Sequence, residues 1–226
     1  MPMSDANFAS ARRAPPLARN PASVVFVVDD DVSVRESLEL LIAQAGWRPV
    51  LLQSAGEFLE QPPVPVPSCL VLDVNLPDLN GLDLQTSLAG KRSDTPIIFI
   101  TGYGDIPQSV RAIKAGAVEF LTKPFDEEVL LSAIADALQR SRVALEGEAA
   151  LRPLQAAYAS LTPREHEVLA LVVAGRLNKQ VAAQLGISEI TVKAHRGKLM
   201  RKMKARSLPE LVKMAGLLGI DGSSPA

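Results

Sequence analysis

Five short apolar runs, each bounded by turn formers, follow one another through the first half of the chain at residues 24–28, 50–52, 70–72, 97–100 and 119–121. Runs of this length read as buried strands. Between the first two, Val34, Leu38, Leu41, Ile42 and Ala45 share one helical stripe that Gly46 stops. The alternation then repeats. After the fifth run, Asp126 caps a helix with Glu127 and Glu128 in its first turn and Leu130, Ile134 and Leu138 on its apolar stripe. Strand and helix in strict alternation imply a doubly wound α/β domain, a five-stranded parallel sheet with helices on both faces. The segment QPPVPVPS at 61–68 has four prolines in eight residues, which excludes helix and central strand and leaves a surface loop before the third strand.

Ligands of such sheets bind beyond the carboxyl ends of the strands. The polar residues found there are Asp29, Asp30 and Asp31 after the first run, Asp73 after the third, Thr101 after the fourth and Lys123 after the fifth. Three crowded carboxylates, Asp29, Asp30 and Asp73, repel one another unless a cation lies between them. An exposed rim with few protein oxygens suits Mg²⁺ better than a caged Ca²⁺. Thr101 and Lys123 are then placed to hold the oxygens of an anion. A metal, a lysine, a hydroxyl and a carboxylate nucleophile are what phosphoryl transfer needs. Each residue alone has an ordinary explanation, as helix cap, loop cap or surface lysine. Their joint placement does not.

The second half has another character. Residues 160–226 hold eleven Lys/Arg against five Asp/Glu, whereas residues 1–159 hold thirteen against twenty, so a basic part follows an acidic one. Residues 139–160, rich in Ala and charge, read as a helical tether. Thr162, Pro163 and Glu165 then form the N-cap, first position and capping-box partner of a helix with Val168, Leu169, Leu171 and Val172 on its stripe. A short helix from Lys179 to Leu185 turns at Gly186 into another capped by Ser188. Val192, Leu199 and Met203 face its core side; Lys193, Gly197, Met200, Arg201 and Lys204 face out. Ser207 caps a fourth helix. Two helices joined by a glycine turn, the second basic outside, describe a helix-turn-helix that enters the major groove. A plain helical bundle with a solvated basic face is the alternative.

The blocks VVDDD, VLDVNLPDLNGLDL, FITGYGD and GAVEFLTKPF, in that order, resemble the CheY-like receiver family over residues 23 to about 140. That resemblance implies that Asp73 is the phosphoacceptor and that Asp30 and Asp73 ligate Mg²⁺ with the backbone carbonyl of Asn75. It implies further that Asp29 acts through metal-bound water and that Thr101 and Lys123 contact the phosphoryl group. Phe120 resembles the family's switch aromatic, although a Phe in a strand is ordinarily core and can be both. The Lys123–Pro124 peptide resembles the family's cis bond, and no pocket position departs from the pattern. Residues 160–212 resemble the LuxR-type domain of the FixJ/NarL family, and the whole chain is similar to its FixJ-like branch. By that likeness Lys193 and Ala194 face base edges, and Lys179, Thr191, Arg196, Lys198 and Arg201 are candidates for phosphate or further groove contacts. Gly197 lies on the same face, either permitting close backbone approach to DNA or carrying no role. His195 reads as packed and His166 as exposed.

The implied organisation is a disordered arm (1–22), a receiver (23–140), a helical linker (141–159), a four-helix LuxR-type helix-turn-helix domain (160–220) and a tail (221–226). The implied function is a phosphorylation-controlled transcription factor. A sensor histidine kinase donates the phosphoryl group, the receivers form a homodimer through a face within 106–140, and the second domain meets promoter DNA and RNA polymerase. It is no enzyme beyond its own phosphoryl transfer and dephosphorylation. A phosphotransfer relay and a constitutive DNA binder are the competing readings. No apolar run spans a membrane, and Cys69, the sole cysteine, reads as a buried strand residue of a reducing, cytoplasmic compartment. Arg12, Arg13 and Arg19 in the arm read as solvated rather than DNA-bound.

Overall fold

The computed structural model describes residues 23–90, 92, 94–102 and 106–220. The expected arm (1–22) and tail (221–226) lie outside the described residues. The elements are β1 (Val24–Val28), α1 (Val32–Gln44), β2 (Arg48–Leu52), α2 (Ala55–Glu60), β3 (Ser68–Asp73), α3 (Gly81–Leu88), β4 (Ile97–Thr101), α4 (Ile106–Lys114), β5 (Glu119–Thr122) and α5 (Glu127–Ala159). After them come α6 (Pro163–Val173), α7 (Asn178–Leu185), α8 (Glu189–Met203) and α9 (Leu208–Leu217). The described residues form two compact units that divide between Leu145 and Glu146.

In the first unit all strand pairs are parallel, in the order β2-β1-β3-β4-β5. Side chains alternate across the sheet with period two. Phe26, Val28, Leu70, Leu72 and Phe99 join one core with Phe58, Leu84 and Ala112 of α2, α3 and α4. Val25, Val27, Cys69, Val71, Ile98 and Ile100 join the other with Leu38 and Ile42 of α1 and Leu130, Ile134 and Leu138 of α5. Burial on both faces explains why β1, β3 and β4 read as continuous apolar runs. It also pushes the Cys69 thiol far above its ordinary pKa, so the thiol is inert. The proline segment does more than loop over the surface: Val64 and Val66 pack against the first core.

The helix expected after the fifth strand and the expected tether are one helix, α5, which runs through Pro153. Its Ser141 is buried, and its hydroxyl oxygen accepts the Ser68 N–H at 3.0 Å.

The second unit packs α6 to α9 around Val168, Leu169, Val172, Val181, Val192, Leu199, Met203 and Leu211. The Thr162–Glu165 capping box forms, with Thr162 N–H donating to Glu165 Oε2 at 2.8 Å and Glu165 N–H to Thr162 Oγ1 at 3.3 Å. Two expectations are corrected, those for Met200 and His166. Met200 is half-buried and packs on the core rather than facing out. Lys204 is exposed as expected, and it ends the helix as its left-handed C-cap, at φ 56°. His166 is half-buried, its ring 4.4 Å from that of Tyr158 and its Nε2 3.0 Å from the Tyr158 carbonyl oxygen.

Glu165 also does more than cap. Buried, it takes a hydrogen bond from Lys202 Nζ at 2.7 Å, and that bond together with the Thr162 N–H holds its carboxyl down at about 2. The folded pKa lies below the ordinary 4.5. Its stabilising contribution is therefore complete above pH 4.5 and is lost as pH falls toward 2. We expect Glu165→Gln to lower the stability of the second unit at neutral pH by ~1–3 kcal/mol and to flatten its acid sensitivity between those two values. Calorimetric unfolding of both chains across that range checks it; parallel acid profiles would count against the assignment.

Candidate functional site

Asp29 follows β1 directly, and Asp73 is the last residue of β3, the strand beside it. With Asp30 they bring carboxylate oxygens within 4.8 Å of one another. Asp29 is wholly buried, Asp73 nearly so, and Asp30 exposed. From the end of β5, Lys123 Nζ donates to Asp29 Oδ2 at 2.6 Å and to Asp73 Oδ2 at 3.0 Å. Burial pushes the Asp29 carboxyl above its ordinary value, opposed by Lys123 and by the Asp31 N–H at 2.9 Å. Burial works against the Lys123 ammonium as well, yet its two carboxylate partners win and raise its pKa. The pocket is a set of hard oxygen donors open on one side. That donor set fits a small divalent ion completing its shell with water.

Backbone geometry fixes these side chains. Asp73 Oδ1 accepts the Asn75 N–H at 3.1 Å, and Asn75 Nδ2 donates to Thr101 Oγ1 at 3.2 Å, which ties the acidic site to the end of β4. The Lys123–Pro124 peptide is cis, and Lys123 N–H donates to Thr101 carbonyl oxygen at 2.7 Å. Asp31 caps α1 and takes no place in the acidic cluster. Phe120 is half-buried on β5, its ring 6.1 Å from Phe99, on the α4 side of the sheet. Two positioning roles are absent from the sequence reading, that of the Asn75 side chain and that of Gly81. The Asn75 amide bridge lacks a sequence signal. Gly81, whose N–H donates to Val74 carbonyl oxygen at 2.9 Å, sits in the pair Asn80–Gly81, a turn signal before a helix.

In the second unit Ser188 caps α8, its hydroxyl 2.8 Å from that of Thr191. Lys179, Lys193, Ala194, Gly197, Lys198 and Arg201 are exposed. Arg196 is not free in the same way: half-buried, it donates to Asn178 Oδ1 at 2.6 Å and so fastens α8 to the first turn of α7. His195 is partly buried, as expected, with no hydrogen-bond partner at its buried Nδ1.

Residues 25–135 match the family described as "Response regulator receiver domain", and residues 159–215 that of "Bacterial regulatory proteins, luxR family". Nodulation protein W of Bradyrhizobium diazoefficiens is 50% identical over 89% of this chain and 88% of its own length. Transcriptional regulatory protein FixJ of the same species is 39% identical over 87% of this chain and 96% of its own. The chain belongs to the FixJ-type response regulators. Among solved structures, response regulator StyR superposes with a TM-score of 0.68 at 45% identity, covering 86% of this chain and 98% of its own.

This response regulator therefore joins a receiver to a luxR-type DNA-binding domain. Among the described residues no helix is long and apolar enough to cross a membrane. Its Arg196–Asn178 bond yields a prediction. The bond to Asn178 points to a role for Arg196 in positioning α8, so Arg196→Ala should weaken DNA binding while leaving the salt dependence of affinity unchanged. Lys198→Ala should flatten the slope of log affinity against log salt by about 1. Titrations at several salt concentrations check both; a flattened slope for Arg196→Ala makes it a phosphate contact instead.

Proposed function

We propose that this regulator accepts a phosphoryl group on Asp73 from a sensor histidine kinase and in response binds promoter DNA as a homodimer. The reading assigns residues 23–140 to the receiver, 141–159 to a helical linker and 160–220 to the DNA-binding domain. The observation that carries it is the convergence of Asp29, Asp30, Asp73 and Lys123 on one open rim, with Thr101 linked to it through Asn75. Asp29, Asp30 and Asp73 would hold a Mg²⁺ ion with the backbone carbonyl of Asn75. When bound, the ion neutralises charge on the phosphoryl oxygens.

In this reading an Asp73 oxygen attacks phosphorus, the bond to the donor's imidazole nitrogen breaks, and an aspartyl phosphate forms. Lys123, already bridging two carboxylates, trades its contact with Asp73 for one with a phosphoryl oxygen. Thr101 follows the same group and Phe120 moves with it, carrying the change toward α4 and β5. The exposed Ile106, Val110 and Ile113 line one side of α4 at a spacing of four and three, which supports dimerisation there. Lys179, Thr191, Lys193, Ala194, Gly197, Lys198 and Arg201 meet DNA in the cytoplasm, and RNA polymerase is the further partner. Beyond its own phosphoryl transfer and dephosphorylation the protein catalyses nothing.

The test is DNA affinity with and without acetyl phosphate and Mg²⁺, using duplexes selected from a random pool by the phosphorylated chain. Affinity should rise on phosphorylation. Equal affinity in the two states would reduce the receiver to a scaffold.

A further inference from the structure

Two residues of α8 have no explanation inside the fold. Ile190, its second residue, is 79% exposed, although an aliphatic side chain gains nothing from water. Gly197, in the middle of the helix, has a helical backbone, and a Cβ built on it meets nothing within 4 Å. Neither a left-handed turn nor a close neighbour calls for glycine there, and glycine is the poorest helix former after proline.

Both lie on one line. With Val192, Leu199 and Met203 buried, a 100° step per residue puts Ile190, Ala194, Gly197 and Arg201 along the edge opposite the core, at spacings of four, three and four. Lys193 and Lys198 flank that edge and are exposed. On a helix facing water this edge is the most polar; here its first three members are apolar or absent, between two lysines. A helix in the major groove pushes this outermost line deepest, N-terminal residues first, while cations beside it reach base edges or phosphates. The apolar group on the groove floor is the C5 methyl of thymine.

We infer that Ile190 is a specificity-determining residue that packs on a thymine methyl, and that Gly197 keeps the edge bare so that α8 can lie close to the bases. The inference rests on the reading of α8 as a DNA-recognition helix and names the base feature that helix selects.

The experiment uses the full chain, activated with acetyl phosphate and Mg²⁺, and the duplex it enriches from a random pool. Each thymine is replaced in turn by deoxyuridine, which lacks only the methyl. Wild type should lose about fourfold in affinity at one thymine per half-site, the worth of one buried methyl. Ile190→Ser should show no loss at that position while keeping wild-type helix content, its side chain being exposed. Gly197→Ala should raise the thermal midpoint yet weaken binding by more than about threefold, because its methyl holds the helix off contact surfaces. Identical deoxyuridine sensitivity in wild type and Ile190→Ser, or tighter binding by Gly197→Ala, overturns the inference. Failure to enrich any duplex would instead overturn the DNA-binding reading beneath it.

Discussion

Asp73→Asn is expected to abolish Mg²⁺-dependent labelling of this response regulator by radiolabelled acetyl phosphate. The substitution is close to isosteric, and the new side-chain oxygen can still accept the Asn75 N–H that Asp73 Oδ1 accepts at 3.1 Å. Lys123 keeps Asp29, at 2.6 Å, as its partner. The pocket should therefore stay assembled while its nucleophile becomes an amide, which does not attack phosphorus. One unit of negative charge also leaves the acidic cluster. Unfolding midpoints of the two chains should agree closely, so that lost labelling reads as lost chemistry. The DNA affinity of Asp73→Asn should in turn not respond to acetyl phosphate. Labelling of the mutant at the wild-type rate would place the phosphoryl group elsewhere, with Asp29 and Asp30 the remaining carboxylates of the cluster.

Much of this site was legible because the rule that exposes it is topological. Once alternating apolar runs imply a parallel sheet, the residue after each strand is committed to the ligand-binding rim whatever the distance along the chain. The rule brings Asp29 and Lys123, 94 positions apart, to one rim, and there Lys123 Nζ stands 2.6 Å from Asp29 Oδ2. The N-caps were legible for a local reason, since Asp126, Thr162, Ser188 and Ser207 satisfy backbone groups three or fewer residues away. What escaped was side-chain pairing between elements. Arg196 faces half toward the core side of α8, and a helical wheel alone could not tell that Asn178 of α7 waits there at 2.6 Å. Likewise Glu165 announced a capping box, but not that Lys202, on a helix two elements later, closes the same carboxylate. His166 read as exposed because the Tyr158 ring that covers it comes from α5, beyond the periodicity of its own helix.

Gly81 joins these missed residues, and its substitution should have the second large effect. A Cβ at this position would stand 2.7 Å from the carbonyl oxygen of Asp73, 3.1 Å from Val74 Cα and 3.2 Å from Phe99 Cε1. The first two are backbone atoms of the segment that carries the nucleophile, and the third belongs to a buried ring. None can swing aside as a flexible side chain would. Either α3 must back away, breaking the 2.9 Å hydrogen bond from Gly81 N–H to Val74, or the end of β3 must shift and take Asp73 with it. Overpacking of this kind costs roughly 1–3 kcal/mol or more. A displacement of the nucleophile by even a fraction of an ångström adds a kinetic penalty, on the order of a hundredfold for a full ångström. Gly81→Ala should therefore lower the receiver's unfolding midpoint and slow labelling by acetyl phosphate together. Gly56→Ala is the matched control: its Cβ would meet nothing nearer than Asp78 Oδ2 at 3.6 Å, an ordinary contact, and alanine suits α2 better than glycine. Its stability should hold or rise, with labelling unchanged. Wild-type stability and labelling in Gly81→Ala would mean that the loop after β3 yields freely, and that the close approach of α3 does not position Asp73.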